Sequence, residues 1–531
     1  MKSLMDILAH LEIAVSTKDY DKIGVHEITS DSRQVTPGTL FVAINGGAVD
    51  GHEFIDRAIC NGCVAVVADR RWAAENRTSI EVPLIGVEDT RKALGDLAVA
   101  LYGNPAQGMS LVGVTGTNGK TTTTYILENI ITCAGGKPGV IGTINYRFGG
   151  NEIAATHTTP EPVNLQKTLR LMKDSGVTHV VMEVSSHALE QKRLEGLKFD
   201  AALFTNLTRD HLDYHADMES YYSAKKKLFT EYLKDGGFAC LILDEDSSAA
   251  TGNENWGERL AKELQCCAGA NGDQPLINVQ TCGKNQQADI HVELQKSSFS
   301  GLCGSIYAKT KRIDFTSQLV GDFNAKNILG AGAVAISLGF DQKAIGAGIS
   351  GVTVVPGRME RVCFSPGQNN VEALTVFVDY AHTPDALENV LNAVQIIKKE
   401  RIFLVFGCGG DRDQGKRFLM GEIAGRLADV VVVTTDNSRT EEADEIIREI
   451  CRGVESSSKM QTHYDKNGTI KNGYIAVRDR SEAIRIAINC AGKGDVILVC
   501  GKGHENYQIT KEGKVFFDDR QEVRRYLANV H

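Results

Sequence analysis

Short, nearly uninterrupted apolar runs recur along the chain, and most end in a polar or glycine-rich stretch. Runs that are apolar at every position, not at alternate ones, predict strands buried on both faces of a mainly parallel sheet. Such strands are expected at 41–44, 64–67, 111–115, 177–184, 201–205, 239–243, 374–378, 401–406, 430–434 and 496–500. Helical spacing lies between several of them, most clearly over 90–102. The alternation of strand and helix predicts an α/β fold. Residues 1–12 read as a short amphipathic helix, with Asp6 and Glu12 in or beside its apolar positions, unlike an export signal. Residues 252–311 are more polar and less regular, and a small antiparallel excursion is expected there.

Length divides this pattern. A chain of 531 residues exceeds the roughly 250–300 that one hydrophobic core supports. Turn-rich segments at 103–108 and 354–357 predict three units, 1–107, 108–356 and 357–531. The central and C-terminal units each read as a mainly parallel α/β sheet, the last of them Rossmann-like. In open α/β sheets ligands bind beyond the carboxyl ends of the strands. The polar clusters follow strands, so they are expected to face a common cleft.

Composition removes whole classes of function. Lys plus Arg is 58 against 67 for Asp plus Glu, a net charge of −9, so no broad basic face for nucleic acid is expected. No apolar run reaches the ~18 residues that span a bilayer, so no membrane partner is expected. The chain has 13 cysteines, and the one C-x-x-C pair, Cys60 and Cys63, has no second pair at zinc spacing. Free thiols in a reducing cytoplasm, in a monomer, are the expectation.

Chemistry enters at Gly113-Val-Thr-Gly-Thr-Asn-Gly-Lys-Thr-Thr122, between a strand and a helix. Gly116, Thr117, Asn118, Gly119, Lys120, Thr121 and Thr122 suit a loop whose backbone N–H groups cradle phosphate at a helix N-terminus. Lys120 can reach the β- and γ-phosphates, and the Thr121 hydroxyl can meet Mg²⁺. Val114 stands where the full G-x-x-x-x-G-K-S/T pattern has its first glycine. The motif indicates a nucleoside triphosphate and leaves kinases, GTPases and ligases open.

Two strand-end clusters accompany it, Glu183-Val-Ser-Ser-His187 and Thr205-Asn-Leu-Thr-Arg-Asp-His-Leu-Asp-Tyr-His215. Glu183 is a natural Mg²⁺ ligand, whereas the imidazole of His211 suits softer metals. Lys225, Lys226 and Lys227 lie together on a short helix. They read either as a solvated basic face or as a source of one lysine for the metal site.

These residues resemble the Mur ligase family, and within it the tripeptide-synthetase branch. The resemblance covers essentially the whole chain. It rests on the segments above and on Ser30-Asp-Ser-Arg33, His157-Thr-Thr-Pro160, Gly321-Asp-Phe-Asn-Ala-Lys-Asn327 and Gly357-Arg-Met-Glu-Arg361. Asp379-Tyr-Ala-His-Thr-Pro-Asp385, Gly407-Cys-Gly-Gly-Asp-Arg-Asp413 and Gly501-Lys-Gly-His-Glu505 complete it. It implies an N-terminal domain for the UDP end of the substrate, a central ATPase domain and a C-terminal domain for the incoming amino acid. It implies ATP- and Mg²⁺-dependent amide formation on UDP-N-acetylmuramoyl-L-alanyl-D-glutamate in cell-wall synthesis. By position, Ser30 and Ser32 would meet the uridine end, and His157, Thr158, Thr159, Ser185, Gln191 and Arg193 the muramoyl dipeptide. Lys225 would be carbamylated and would serve the metal with Thr121, Glu183 and His211. Asn327, Arg358 and Asp379 match ATP-site positions.

Asp436-Asn-Ser-Arg439 resembles the Asp-Asn-Pro-Arg motif of the members that add meso-diaminopimelate. Arg439 can pair bidentately with that substrate's distal carboxylate, which lysine lacks. Arg412, Asn437, Gly501 and Glu505 match the remaining contacts, with Glu505 receiving an ammonium group. Ser438 departs from the usual proline, freeing φ and restoring an N–H, so a looser loop is expected. Read alone, Arg439 is a surface arginine beside Glu441 and Glu442. The rival activities are the same ligation with L-lysine, a folylpolyglutamate synthetase-like reaction, and an ATP-hydrolysing regulatory module.

Overall fold

Alternate residues of the apolar strands enter different cores, which is why the runs carry few polar positions, most of them at their ends. In Ile402–Phe406, Ile402, Leu404 and Phe406 pack with helices Pro384–Ile397, Gly415–Leu427 and Ala443–Ser456. Phe403 and Val405 face helices Arg480–Cys490 and Asp519–Val530 on the opposite side. Each such side chain contributes about 1.5–3 kcal/mol by leaving water, so neither face tolerates a polar residue. The computed structural model describes the chain apart from residues 12–19, 47–48, 244–254, 269–276, 310, 363–373, 463–469, 471 and 531.

Three larger sheets follow one another along the chain. Glu27–Thr29, Thr39–Val42, Ala65–Asp69 and Leu84–Val87 form a parallel four-stranded sheet. The central sheet has eleven strands, and its parallel part runs Pro138–Ile141, His179–Glu183, Ser110–Thr115, Phe199–Phe204, Leu233–Ile242, Ile277–Gly283, Ile290–Ser298. Helices Lys120–Cys133 and Phe323–Ser337 cover one face, and Pro162–Asp174 and Met218–Thr230 the other. The third sheet orders Glu360–Val362, Thr375–Asp379, Val496–Cys500, Ile402–Phe406, Val430–Val433, Gly473–Ala476, and only the first pairing is antiparallel.

Two sequence expectations need correction. The N-terminal helix spans only Leu4–Leu8, capped by the Ser3 hydroxyl, while Lys2–Ser3 pairs with Gly24–Val25. Glu12 lies outside the described residues. In 252–311 the small antiparallel excursion is present, but the described residues, 255–268, 277–309 and 311, are more regular than expected. Trp256–Ala268 is a helix, and Ile290–Ser298, Gly301–Ala308 and Lys311–Ser317 form a regular antiparallel meander that extends the central sheet. In Lys311–Ser317 the buried residues Ile313, Phe315 and Ser317 alternate with exposed ones. A sheet edge covered on one face reads as polar because half its residues meet water.

Cys60 and Cys63 are free thiols, and burial pushes the Cys63 thiol up to about 11. Among the described residues, no helix is long and apolar enough to cross a membrane.

Candidate functional site

The phosphate loop is shaped by what surrounds it. Gly116 has φ +143°, and a Cβ there would lie 1.9 Å from Thr205 Oγ1. A Cβ at Gly119 would lie 2.3 Å from Asn327 Oδ1. Only glycine fits either position, so the loop backbone stays open to an anion. The loop is pinned by its neighbour: Asn118 N–H donates to Asn206 Oδ1 at 2.9 Å, and Thr205 Oγ1 donates to the Asn118 carbonyl at 2.6 Å. Lys120 folds back, its Nζ donating to the carbonyls of Gly116 and Thr117 at 2.8 Å each.

Lys225 is not on a solvated face. The residue is 1 % exposed, and Nζ donates to the Gly116 carbonyl at 2.9 Å, the atom that Lys120 also uses. Burial drives its pKa well below the ordinary lysine value, and the charge of Lys120 pushes the same way. Lys226 and Lys227 pair with Glu263 and Glu190 at 2.8 and 2.7 Å. The solvated-face reading therefore fails for Lys225, while Lys226 and Lys227 stay partly exposed in surface ion pairs.

Glu183 is buried and surrounded by donors. Thr143 N–H reaches Oε1 at 3.1 Å, and the hydroxyls of Thr143 and Thr121 reach Oε2 at 2.9 and 3.1 Å. Thr143 also meets Thr158 Oγ1 at 3.1 Å, which joins the segment His157-Thr-Thr-Pro160 to Glu183 and Thr121. Thr159 Oγ1 donates to the Glu183 carbonyl and accepts from Ser185 N–H, and Arg193 Nη1 donates to the Thr159 carbonyl. Gln191 Oε1 accepts from Arg193, while His157 is exposed and contributes its carbonyl to Tyr146. His211 has φ +56° and its ring lies 4.9 Å from that of His187. Burial lowers its pKa against the opposing pull of Asp210.

Among the described residues, no three His, Cys, Asp or Glu side chains gather as a metal-binding group. The oxygen atoms of Glu183 and Thr121 still fit Mg²⁺, which commonly takes one or two carboxylates and completes its shell with phosphate and water.

The selector segments meet in the third sheet. Lys502 is buried among Asp436 (3.6 Å), Glu505 (3.5 Å) and Asn437 Oδ1 (3.1 Å). Asn437 Nδ2 donates to Glu505 Oε2 at 2.9 Å. A Cβ on Gly501, which has φ +115°, would lie 2.5 Å from Asp436 Oδ2. Arg439 makes no pair with Glu441 or Glu442; those engage Arg417 and Lys511. Arg439 Nη1 instead donates to the Gly410 carbonyl at 2.6 Å. A Cβ at Gly409 would approach Arg439 Nη1 at 2.9 Å and Arg412 Cγ at 3.9 Å, so both arginines border one glycine. Ser438 is buried, and Gln508 and Ile509 lace the loop from the side.

Contacts connect the two halves. Arg358 Nη2 donates to Thr121 Oγ1 at 3.2 Å, and its guanidinium lies 4.4 Å from the Tyr380 ring centroid. Asp379 accepts from the Met359 and Ala381 N–H groups, and its carbonyl accepts from Gly501 N–H. Asn118 Nδ2 donates to Asp385 Oδ2 at 2.7 Å. Lys120, Glu183 and Arg439 are thus joined by one continuous set of residues. Ser30 and Ser32 follow a strand of the first sheet and, among the described residues, make no hydrogen bond to this cluster. The sequence reading missed Thr143, Asp210 and Lys502. Asp210 and Lys502 lie inside quoted motifs, whereas no motif signals Thr143.

Comparison with known proteins supplies the family. Models for the Mur ligase family catalytic domain, the Mur ligase middle domain and the Mur ligase glutamate ligase domain match residues 24–102, 114–335 and 357–503. A UDP-N-acetylmuramoyl-L-alanyl-D-glutamate--2,6-diaminopimelate ligase of Geobacter metallireducens is 47% identical over 93% of this chain and 92% of its own. A solved structure of a ligase of that name superposes with a TM-score of 0.66 at 29% identity, covering 99% of both chains. A MurF ligase of Thermotoga maritima in complex with ADP shares the fold, with a TM-score of 0.58 at 19% identity over 96% of this chain and 99% of its own. The chain belongs to the Mur ligase family.

Proposed function

We propose that the chain is an ATP-dependent ligase that joins meso-diaminopimelate to UDP-N-acetylmuramoyl-L-alanyl-D-glutamate, releasing ADP and phosphate, in peptidoglycan synthesis. The observation that carries this reading is the junction between the phosphate loop and the Asp436–Glu505 cluster through Arg358 and Asp379. In this reading residues 1–107 hold the UDP end through Ser30 and Ser32, residues 108–356 hold ATP, and residues 357–531 hold the amino acid.

A carboxylate is a poor acyl donor because oxide is a poor leaving group. The substrate carboxylate attacks the γ-phosphorus, the bond to the β-phosphate bridging oxygen breaks, and an acyl phosphate and ADP form. Lys120 and the amides of 116–122 hold the charge that develops on the phosphoryl oxygens. Thr121, Glu183, His211 and a carbamylated Lys225 would hold Mg²⁺, which when bound neutralises the phosphates. A buried lysine with a depressed pKa supplies the neutral amine that adds CO₂, forming an N–C bond and releasing a proton. Thr158, Thr159, Ser185, Gln191 and Arg193 orient the dipeptide. Arg439 and Arg412 take the distal carboxylate of the incoming amino acid, and Glu505 its ammonium group. The neutral amine attacks the acyl carbon and phosphate leaves. Positioning carries most of the rate.

The test is phosphate release and product mass with the UDP-dipeptide and either meso-diaminopimelate or L-lysine. The expected outcome is a product with the former alone, and Arg439→Ala should damage its use selectively. Equal use of both amino acids would overturn the selector assignment. Phosphate release that ignores the amino acid would indicate a regulatory ATPase instead.

A further inference from the structure

The two selector segments do not leave neighbouring strands. Asp436 follows Val430–Val433 and Gly501 follows Val496–Cys500, and Ile402–Phe406 lies between those strands. Ladder hydrogen bonds therefore do not join them directly. Their fit has no slack, since Gly501 stands against Asp436 Oδ2 too closely for even a methyl group.

One side chain spans the gap from behind. Arg480 opens the helix Arg480–Cys490 on the side of the sheet away from Gly415–Leu427. Its Nη1 donates to the Thr435 carbonyl at 3.1 Å and its Nη2 to the Cys500 carbonyl at 2.9 Å. Those are the carbonyls immediately before Asp436 and Gly501. Asp519, the first residue of the last helix, grips the other edge of the guanidinium, with Nε to Oδ1 and Nη2 to Oδ2 both at 2.7 Å. The side chains of both residues are 0 % exposed. Burial works against the charge of Arg480, and Asp519 overrides it and raises the arginine pKa. A fork of fixed shape can bond two carbonyls and a carboxylate at once; a lysine ammonium on a flexible stem cannot hold that geometry.

We propose that Arg480, locked by Asp519, is a positioning residue that sets the separation of Thr435–Arg439 from Gly501–Glu505 and thereby the recognition of the incoming amino acid. It touches no substrate and acts through Asp436, Asn437 and Glu505. The proposal rests on the reading of this cluster as the amino-acid site.

The experiment compares the wild type with Arg480→Lys and with the double variant Arg480→Met/Asp519→Leu, which replaces the buried pair with apolar groups of similar size and can keep the fold. KM is measured for the amino acid, ATP and the UDP-dipeptide, with thermal melting and near-ultraviolet circular dichroism as folding controls. In both variants the KM for meso-diaminopimelate should rise about tenfold or more, one decade in binding, while the other two KM values change less than about twofold. A folded variant with all three KM values unchanged would overturn the proposal. So would variants that fail to fold, or whose loss of activity only follows their loss of folded protein, since the pair is then merely structural. If the wild type forms no amide with any amino acid, the functional reading itself has failed, and the proposal goes with it.

Discussion

The phosphate loop and the selector cluster solve opposite electrostatic problems. At the loop, two lysines, Lys120 and Lys225, converge on one carbonyl, and burial drives the pKa of both down. At the selector, two acids, Asp436 and Glu505, share one buried lysine, Lys502. Burial opposes the charge of Asp436, but Lys502 and Arg480 override it and hold that carboxyl below its ordinary value. Burial and the charge of Asp436 together raise the pKa of Glu505. The first site keeps Lys120 for a polyanion beside Lys225, whose amine burial drives toward its neutral form. The second is negative charge only partly neutralised, suited to a cation that also brings a carboxylate for Arg439. The two halves differ in construction as well. The loop is mostly contiguous residues, while the selector is assembled from segments near 410, 437, 480, 502 and 519.

The comparison can be broken at several points. Lys120→Ala removes the donor nearest the transferred phosphoryl group and should lower kcat about 10³-fold, read by ADP formation. Lys225→Ala should lower kcat about 10²-fold through the metal-site charge it supplies. If the carbamate reading holds, added acetate restores part of that activity, and no recovery would count against it. Arg439→Ala loses charge-assisted hydrogen bonds of about 2–3 kcal/mol, so the KM for meso-diaminopimelate should rise roughly 30- to 150-fold with the KM for ATP unmoved.

Acid should separate the two acids. Glu505 must be ionised to receive an ammonium group, and its pKa is raised. The KM for the amino acid should therefore climb as pH falls, beginning above the range of an ordinary carboxylate. Asp436 has a lowered folded pKa, so its contribution to stability is present above the unfolded value and is lost only as pH falls through the lower folded one. Recognition should fail while the melting temperature still holds; simultaneous loss would contradict the assignment. The smallest effect is expected at Ser438. Among the described residues its N–H makes no hydrogen bond, and the loop is laced by Gln508 and Ile509. Ser438→Pro should leave every KM within about twofold and, where the backbone angle suits proline, raise stability by about 0.4–1 kcal/mol.

The looser loop expected from Ser438 is therefore offset by contacts from Gln508 and Ile509, which no local motif announces. Local sequence was informative where one contiguous segment does the work: Ser110–Thr115 and the loop after it have the strand, the glycines and the lysine in a row. It left the choice among Lys225, Lys226 and Lys227 open, because three adjacent lysines look alike until the helix Met218–Thr230 is docked and one of them turns inward. Across 252–311 it indicated the antiparallel strands but understated their regularity, because one-sided burial imitates irregularity.

The sequence alone sets the strands, because apolar residues at consecutive positions must be covered on both faces, and marks the anion cradle, because the glycines and Lys120 stand in one row between a strand and a helix. Folding was needed to choose which lysine is stripped of water, which partner Arg439 keeps, and how Arg480 ties two separated strand ends. Those outcomes depend on long-range packing, and a side chain's charge and neighbours are set by what closes over it.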